Sequence, residues 1–490
     1  MSTIPNWLVK RAYLSPNRTA IIFEDREYTF KELFDYSYTL AKKISSFGVK
    51  NGDRVAVLLN NHIEMVFVIH ALQMLGCPAI MLNIRLTEAE IQYQIEDSEA
   101  TFLITEKDLY SKVKDLYCPS LKGKRLMSEI WDEKETSFDI VENFSLDDIC
   151  TIMYTSGTTG FPKGVLQSYG NHWWSAIGSA LNLGLHQDDV WISAVPLFHI
   201  SGFSIIVRSV IYGMPIRLYS RFDEKMINDD LINGRGTIIS VVSTMLLRLV
   251  ANLGNRTYSS KFRCMLTGGG PVPMTLLNRC LEKSIPVFQS YGMTETSSQI
   301  VTLSPEDSLT KIGSAGKPLF PSQVEIRIDN ELAQPNQVGD IFVKGPNVTR
   351  GYLKRPDVNA RDFSEDGWFK TGDVGYLDEE GYLFVLDRRS DLIISGGENI
   401  YPAEIENIIL SHPKISEAAV IGIQDETWGQ VPCGFYVLKS GETITDDELT
   451  QYCLKILAKY KVPKKWIEID QIPKNASNKI LRRELRNLVE

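Results

Sequence analysis

Short apolar runs alternate with amphipathic runs through the first half of this chain, and that alternation limits the folds open to it. RTAIIFED, DRVAVLLN, CPAIMLNI and TFLITEK have the length and composition of strands. Between them lie three runs with helical spacing, TFKELFDYSYTLAKKISSFG, HIEMVFVIHALQMLG and TEAEIQYQIEDSEA, the first with Thr29 and Glu32 spaced as a capping box. This order predicts βαβ units, and therefore a largely parallel sheet with helices on both faces.

Strand-like runs continue after residue 150 as DICTIMYTS, DVWISAVPLF, PIRLYS, TIISVVS, RCMLTGG and PVFQSYG. Several of them end in loops of Gly, Ser and Thr. Open parallel sheets bind ligands where their strands end in loops, so we expect the functional site at these positions.

The pattern changes near residue 320. Residues 320–388 hold short alternating runs joined by Gly, Pro and Asp turns, which predicts an antiparallel β-subdomain. The rest of the chain returns to a smaller α/β pattern, with helices at AEIENIILSH and DDELTQYCLKILAKY and strands at SEAAVIGI and CGFYVLK. We therefore expect an α/β protein. Its large N-terminal domain, 1–388, contains parallel-sheet α/β subdomains and the β-subdomain, and its small, mobile C-terminal α/β domain covers 389–490.

Length and charge set limits on this picture. A chain of 490 residues is too long for one compact domain. Its 52 Lys and Arg against 61 Asp and Glu give a net charge of −9, which does not suit a nucleic-acid partner. Between Lys455 and Arg486, however, ten basic residues stand against three acidic ones, which fits either a solvated surface or a cap that meets phosphates.

Cysteine and histidine spacing argues against two further classes. The seven cysteines form no CxxC pair and the six histidines have no ligand spacing, so we expect neither a disulfide framework nor a zinc site. The first residues lack the pattern of a signal peptide. The uncharged stretch Val190–Val207 contains Pro196 and Gly202, and we interpret it as a strand, a loop and a helix start rather than a membrane span. These features predict a cytoplasmic protein.

The strongest single signal is TSGTTGFPKG at 155–164, directly after the apolar run ICTIMY. Its glycines permit backbone angles that let consecutive N–H groups converge on an anion, while its hydroxyls add donors and Lys163 adds charge. The common GxxxxGK[ST] pattern is not matched. The segment therefore predicts a grip for a polyphosphate rather than a polar turn, with these binding residues: Thr155, Ser156, Gly157, Thr158, Thr159 and Lys163.

TSGTTGFPKG also resembles the phosphate loop of the adenylate-forming superfamily, which includes acyl- and aryl-CoA ligases, luciferases and peptide-synthetase adenylation domains. Segments similar to the family's other motifs follow in the family order: PLFH at 196–199, QSYGMTE at 289–295, TGD at 371–373, RRSDLIISGGENIYPAEIE at 388–406 and PKNASNK at 473–479. The resemblance implies a two-step enzyme. A small-molecule carboxylate and ATP first give an acyl-adenylate and pyrophosphate, with Mg²⁺, and the thiol of coenzyme A then displaces AMP. Because the family includes monomers and dimers, a homo-oligomer stays open.

The resemblance assigns the first step to three residues. Lys479 is expected to bridge the substrate carboxylate and the α-phosphate, Thr294 to donate to that phosphate, and Glu295 to bind Mg²⁺. Both reactants are anionic, so positive groups here suit the chemistry, and Mg²⁺ needs few carboxylates when phosphates and water complete its shell. Outside its motif Lys479 would pass for an ordinary surface lysine.

Nucleotide binding falls, by the same resemblance, on several loops. Asp373 is expected to accept from the ribose hydroxyls and Arg388 to bind ribose or phosphate, while the ring of Tyr291 offers a face to adenine. The alternatives are a core tyrosine for Tyr291 and an Asx-turn for Asp373. The glycine run after RCMLT is either a flat platform for adenine or a tight turn. The remaining binding residues expected here are Gln289, Ser290, Gly292, Met293, Gly268, Gly269 and Gly270.

The second step implies motion. By resemblance, the C-terminal domain rotates about a hinge near Ser390, which removes Lys479 and brings Gly396 and Gly397 toward the path of the thiol. His199 is expected to gate the acyl site, although a lone histidine in an apolar run is otherwise structural. Asn478 stands where the family commonly has Gly, and Ser390 where it has Asp or Lys.

Three alternatives remain beside an acid–CoA ligase for one particular acid. The acid is another aryl or acyl carboxylate, the thiol belongs to a carrier protein, or the chain binds nucleotides without catalysis. The presence of Glu295, Asp373, Arg388 and Lys479 together argues against the last. For an acid with a second carboxylate, the candidate donors are Ser201, Ser204, Thr267, Ser297 and Arg208.

Overall fold

The computed structural model describes residues 2–155, 162–270, 272–308, 310–387, 392–474 and 480–489. In chain order the strands are β1 Thr3–Pro5, β2 Thr19–Phe23, β3 Arg26–Thr29, β4 Val55–Leu58, β5 Ala79–Met81, β6 Phe102–Thr105, β7 Gly123–Leu126, β8 Asn143–Ser145, β9 Ile149–Thr155, β10 Lys163–Ser168, β11 Trp191–Ser193, β12 Ile216–Leu218, β13 Ile238–Val241, β14 Cys264–Thr267, β15 Val287–Met293, β16 Ser298–Leu303, β17 Lys317–Pro318, β18 Gln323–Ile328, β19 Glu331–Leu332, β20 Gly339–Lys344, β21 Phe369–Leu377, β22 Leu383–Asp387, β23 Ile393–Ser395, β24 Glu398–Ile400, β25 Ile415–Asp425, β26 Gly429–Leu438 and β27 Lys465–Glu468.

The α-helices are α1 Trp7–Leu14, α2 Phe30–Ser46, α3 Ile63–Leu75, α4 Glu88–Ser98, α5 Met127–Asp132, α6 Tyr169–Leu183, α7 Ile200–Tyr212, α8 Glu224–Ile232, α9 Ser243–Leu253, α10 Met274–Glu282, α11 Pro356–Asp362, α12 Pro402–Leu410, α13 Asp446–Leu454 and α14 Arg482–Arg486. Short 3₁₀ turns occur at Lys107–Lys112, Thr294–Thr296 and Lys459–Lys461. Among the described residues, no helix is both long and apolar enough to cross a bilayer.

Two large sheets form the N-terminal part. One has the strand order β10-β9-β5-β4-β6-β7, and the other has the order β17-β16-β15-β14-β13-β11-β12-β2-β3. Their inner pairs are parallel, as between β4 and β5 or between β13 and β14, whereas β10, β16, β17 and β3 pair antiparallel toward the edges. The prediction of parallel α/β subdomains is confirmed.

Local sequence signals explain where two of the early helices begin. The predicted capping box of α2 is present, because the Thr29 hydroxyl accepts from the backbone N–H of Glu32 at 3.1 Å and the Glu32 carboxylate accepts from that of Thr29 at 2.8 Å. Helix α4 begins with a second box of the same kind, formed by Thr87 and Glu90.

The predicted β-subdomain is an antiparallel five-stranded sheet with the order β19-β18-β20-β21-β22. Its sequence also contains a helix that the alternating pattern did not predict, α11. That helix begins with Pro356, whose fixed φ and missing N–H suit the first helical turn.

The C-terminal part has its own sheet and its own core. Strands β24-β23-β26-β25 lie in that order and β27 pairs with β26. Two clusters of buried side chains, one around Ile405 and Leu449 and one around Phe435 and Leu485, draw only on residues after 392 among those described. The large and small domains are therefore separate packing units, while the predicted boundary near Arg388 to Asp391 lies outside the described residues.

Two predicted elements are shorter than expected, for different reasons. Strand β11 ends at Ser193, three residues before Pro196, which cannot donate to a ladder. Helix α13 ends at Leu454 although the apolar spacing continues, because the carbonyl of Ile456 and the N–H of Ala458 bond to α4 of the large domain instead. Tertiary contacts overrode the local pattern at the second position.

Candidate active site

A cavity of about 820 Å³ lies where β9, β13, β14 and β15 end, as expected for the carboxyl edge of parallel strands. Its far wall comes from the C-terminal domain, through residues 396–399 and through Tyr460 and Lys461. The site is thus shared between the two domains.

Most of the predicted site residues within the described part of the chain line this cavity. They are Thr155, Lys163, His199, Gly268, Gly269, Ser290, Gly292, Met293, Thr294, Glu295, Asp373, Gly396 and Gly397. Gly270, Gln289 and Tyr291 do not line it. Six predicted residues lie outside the described residues, as does the hinge position Ser390: Ser156, Gly157, Thr158, Thr159, Arg388 and Lys479.

Glu295, the predicted metal ligand, is held in place by a buried tyrosine. The hydroxyl of Tyr352 donates to Glu295 Oε1 at 2.9 Å, and the backbone N–H of Thr349 donates to the Glu295 carbonyl at 2.7 Å. Lys163 Nζ lies 4.2 Å from the centroid of the same tyrosine ring. One carboxylate oxygen is therefore fixed by a neutral donor, in a positively charged setting.

Thr294 is positioned by a chain of buried polar side chains. Gln167 Nε2 donates to the Thr294 carbonyl at 2.7 Å, and Thr151 donates to Gln167 Oε1 at 2.8 Å. His172 Nε2 lies 2.9 Å from the hydroxyl of Thr151. This chain fixes the backbone at the start of the 3₁₀ turn that carries both Thr294 and Glu295.

Tyr291 is placed differently from the expectation. Its ring packs in a core cluster with 3 % of its surface exposed, and its hydroxyl donates to Asp373 Oδ2 at 2.7 Å. In this structure the residue is buried and does not line the cavity, as expected for the core-tyrosine alternative. Tyr291 instead orients Asp373, which does line the cavity.

The two glycines of the C-terminal wall are closely packed, Gly396 within its own domain and Gly397 against the large domain. Gly396 has φ +58° and its added Cβ would lie 2.7 Å from the ring of Trp428. Gly397 has φ +89°, and an added Cβ would lie 3.3 Å from Val242 of the large domain. A side chain at either position would strain the backbone, and at Gly396 it would also collide with Trp428.

His199 and Glu398 connect the two domains inside the site. His199 Nε2 lies 3.1 Å from Glu398 Oε2, and the same carboxylate accepts from Asn83 Nδ2 at 3.1 Å and Arg85 Nη1 at 3.1 Å. Burial alone would raise the pKa of Glu398, but His199, Arg85 and Asn83 outweigh it and lower that pKa. Glu398 therefore stays ionised and ties the C-terminal wall to the strand ends.

Arg208 on α7 is a second buried charge in the cavity wall. It is 2 % exposed, its Nε and Nη2 have no hydrogen-bond partner among the described residues, and its guanidinium lies 5.4 Å from the Trp191 ring. Burial lowers the pKa of Arg208. The pKa of nearby His172 is lowered to about 3, first by burial and then by the charge of Arg208. This end of the cavity is positive, and no carboxylate among the described residues forms an ion pair with Arg208.

The candidate donors for a second carboxylate separate into two groups. Ser201, Ser204 and Arg208 line the cavity, whereas Thr267 donates to the Phe288 carbonyl and Ser297 lies behind the wall. Arg208 is the charged member of the first group.

Sequence reasoning missed three contributors to the site. Glu398 stands directly after Gly396 and Gly397, so a charged residue after a glycine pair was a signal that went unused. Arg85 and Tyr352 carried no local signal, because each meets its carboxylate across a long stretch of sequence.

The site lies between a large α/β domain and a small C-terminal domain, as in a nucleotide-dependent enzyme. Comparison with protein families identifies the same class of enzyme. The AMP-binding enzyme family matches residues 8–353 and its C-terminal domain matches residues 404–479. The chain belongs to the AMP-binding enzyme family.

The similar proteins point to one activity within that family. The 2-succinylbenzoate–CoA ligase of Geobacillus kaustophilus is 53 % identical over 490 residues, covering 100 % of this chain and 99 % of the relative. A double mutant of the o-succinylbenzoate CoA synthetase of Bacillus subtilis, bound to the product analogue OSB-NCoA, is 48 % identical with a TM-score of 0.94 over 99 % of this chain and 98 % of the other.

The same Bacillus subtilis enzyme has been solved in other states. With the acyl-adenylate OSB-AMP its TM-score to this chain is 0.77 at 48 % identity, over 99 % of both chains. With ATP and magnesium the TM-score is 0.78, over 99 % of this chain and 100 % of the other. Because the sequence is nearly constant, the drop from 0.94 reflects a different arrangement of the same parts.

Proposed function

We propose that this protein is an ATP- and Mg²⁺-dependent acid–thiol ligase that adenylates 2-succinylbenzoate and transfers the acyl group to coenzyme A. The products are 2-succinylbenzoyl-CoA, AMP and pyrophosphate, and the reaction serves menaquinone biosynthesis. Support comes from the relatives at about half identity over the whole chain and from four segments that resemble this member already in sequence: GNHWWSAIGSALNLGL, PLFHISGFS, SVIYGM and FQSYGMTETSSQIVTLSP.

The observation that carries the substrate assignment is the uncompensated charge of Arg208. A buried guanidinium without a carboxylate costs free energy that a bound anion would return. 2-Succinylbenzoate has two carboxylates, an aliphatic one that reacts and a ring one that does not. We place the ring carboxylate against Arg208 and the aliphatic one at Thr294 and Glu295, which line the same cavity. A monocarboxylic acid would leave Arg208 without a partner.

The residues present also fit the metal. Among the described residues, no group of three or more His, Cys, Asp and Glu side chains is placed to hold an ion. Mg²⁺ suits such a place, since it takes one or two carboxylates and completes its shell with phosphate oxygens and water. Glu295 would be that carboxylate, and when bound the ion neutralises phosphate charge and orients the leaving group.

In the first step a carboxylate oxygen of the substrate attacks the α-phosphorus of ATP, and the bond to pyrophosphate breaks. The task of the protein is to align two anions and neutralise their charge. We assign Thr294 and Lys479 to the α-phosphate, Lys163 and the loop 155–159 to the outer phosphates, and Asp373 with Arg388 to the ribose.

In the second step the thiol sulfur attacks the acyl carbonyl, AMP leaves, and the thiol proton passes to solvent. The C-terminal domain presents Gly396, Gly397 and Glu398 to the cavity in this structure, which suits this step. The higher TM-score with the product-analogue complex supports the same assignment. We infer that the domain rotates between the steps, and that His199 gates the acyl end by pairing with Glu398.

One assay tests the proposed function. Pyrophosphate release is measured with 2-succinylbenzoate, benzoate and a medium-chain fatty acid, each with and without coenzyme A. We expect release with 2-succinylbenzoate above the other two acids, and a thioester product only when coenzyme A is present. No preference for 2-succinylbenzoate would reject the substrate, and release without any thioester would favour a carrier-protein thiol. A cytoplasmic location, no nucleic-acid partner and the oligomeric state stay predictions from the sequence.

A further inference from the structure

The N-terminal end of helix α4 in the large domain contacts the C-terminal domain directly. Within the helix, Thr87 and Glu90 form a capping box, with the Thr87 N–H donating to Glu90 Oε2 at 2.8 Å. The same oxygen also accepts from the backbone N–H of Ala458 at 3.1 Å, and the Thr87 hydroxyl lies 2.8 Å from the carbonyl of Ile456. The cap of one domain is therefore a docking surface for the other.

Lys461 of the C-terminal domain inserts its ammonium into this contact. Lys461 Nζ lies 2.5 Å from Glu90 Oε1 and 2.7 Å from Glu404 Oε1. The three side chains are only 4 %, 8 % and 7 % exposed. Glu404 belongs to the same domain as Lys461, so Glu90 is the partner that links the two domains.

The charges make this link selective for one arrangement. Burial by itself lowers the pKa of Lys461, but Glu404 and Glu90 outweigh it and raise that pKa, so the ammonium stays charged. Neutralising Glu90 leaves Lys461 with Glu404 but removes the carboxylate that the large domain supplies, so the docked arrangement loses stability.

We propose that Glu90 and Lys461 are positioning residues for thioester formation, because their pair fixes the C-terminal domain in the orientation that presents Gly397 and Glu398 to the cavity. This inference rests on the proposed two-step function. In the proposed function the C-terminal domain rotates between the two steps, and a rotation away from this orientation breaks the pair. The contact between Glu90 and Lys461 therefore favours thioester formation and not adenylation.

Helix capping alone does not account for Glu90. Helix α2 carries the same box, Thr29 and Glu32, with the same hydrogen bonds. Glu32, 42 % exposed in its side chain, has Arg26 at 3.7 Å as its ion-pair partner and lies away from the C-terminal domain. The two boxes thus provide a matched pair that differs in the contact to Lys461.

The test compares Glu90→Gln with Glu32→Gln. Gln serves in a capping box as Glu does, so both variants keep their helices, but only the first loses the charge that faces Lys461. Adenylation is followed by pyrophosphate exchange with 2-succinylbenzoate. Thioester formation is followed in a single turnover, by mixing coenzyme A with the enzyme loaded with supplied acyl-adenylate.

For Glu90→Gln we expect the thioester step to slow at least about tenfold, because a buried charge pair across an interface has lost one partner. Pyrophosphate exchange should stay the same or rise, since the competing orientation has become weaker. Glu32→Gln should leave the ratio of the two rates at the wild-type value. An unfolded fraction lowers both rates by one factor, so this ratio separates positioning from misfolding.

One result would overturn the inference: a ratio of the two rates in Glu90→Gln that equals the wild-type ratio, whether or not both rates fall. A wild-type enzyme that releases no pyrophosphate from 2-succinylbenzoate would instead reject the proposed function. The two failures are therefore distinguishable in the same set of measurements.

Discussion

Arg208 and Lys461 are both buried basic side chains in the wall of one cavity, 2 % and 3 % exposed, yet their surroundings differ. Lys461 has two carboxylates, Glu90 and Glu404, within 2.7 Å. Arg208 has no ion-pair partner among the described residues, and two of its nitrogens lack a hydrogen bond. The comparison shows two roles of a buried cation. Lys461, which has carboxylate partners, lies where two domains contact each other. Arg208, which has no such partner among the described residues, lies where we propose that an anionic ligand binds.

The largest expected effect is on adenylation, and it distinguishes a residue that acts in the chemistry, Lys479, from one that orients the domain, Glu90. In Lys479→Ala we expect adenylation to fall by at least about 10²–10³-fold, because the charge that neutralises the developing transition state is lost. Thioester formation from supplied acyl-adenylate should persist, which is the reverse of the profile expected for Glu90→Gln. Pyrophosphate exchange and single-turnover thioester formation measure the two steps. If Lys479→Ala reduced both equally, alternation of the domain would be refuted.

The second effect concerns stability without ligands, where the two cations should act with opposite signs. Lys461→Met removes the partner of two buried carboxylates and should lower the free energy of unfolding by about 3 kcal/mol. Arg208→Met removes an uncompensated charge and should raise it by about 1–2 kcal/mol. Denaturant and thermal midpoints of the ligand-free variants give both values. Shifts of the same sign would mean that Arg208 is already compensated.

The smallest expected effect is on the way stability depends on pH. Two buried glutamates of the C-terminal domain, Glu398 and Glu404, should cause it. The lowered pKa of Glu398 means that its stabilising contribution is present above pH 4.5 and is lost as the pH falls through the lowered value. Glu404 behaves in the opposite way. Burial chiefly raises its pKa, so its contribution is present below pH 4.5 and is lost as the pH rises through the raised value.

Accordingly, the quantity to compare is the thermal midpoint near neutral pH minus the thermal midpoint at pH 4.5. Glu404→Gln should make this difference larger than in the wild type, and Glu398→Gln should make it smaller. The opposite signs of the two changes are the expected result. Thermal midpoints between pH 4 and 8 measure both. If the thermal midpoint depended on pH in the same way in both variants and in the wild type, neither carboxylate would be coupled to folding.

Most of the fold could be predicted from the sequence, and 13 of the predicted site residues line one cavity. Strand and helix order followed from apolar spacing, since each element buries one face against its neighbours, and α2 began at the predicted Thr29. The site motifs could be proposed because each is a short continuous run of sequence, such as TSGTTGFPKG or QSYGMTE. What could not be predicted depends on contacts between distant segments. The early end of α13 and the link between Glu90 and Lys461 both arise where the domains meet.

The role of Arg208 could not be predicted from the sequence either. It was one of five polar candidates for a second carboxylate, and nothing in the sequence ranked them. The structure separates them, because burial and the absence of a counter-charge are properties of the surroundings rather than of the residue type.

The most direct test of the account is a cycle of two acids and two proteins. The kcat/KM for adenylation is measured with 2-succinylbenzoate and with 4-oxo-4-phenylbutanoate, which has the same ring and chain but no ring carboxylate, in the wild type and in Arg208→Met. We expect the wild type to prefer 2-succinylbenzoate by at least about 100-fold, and the variant to lose most of that preference, because the discrimination comes from one buried charge pair. An equal preference in both proteins would contradict the assignment of Arg208, and with it the central argument for this substrate.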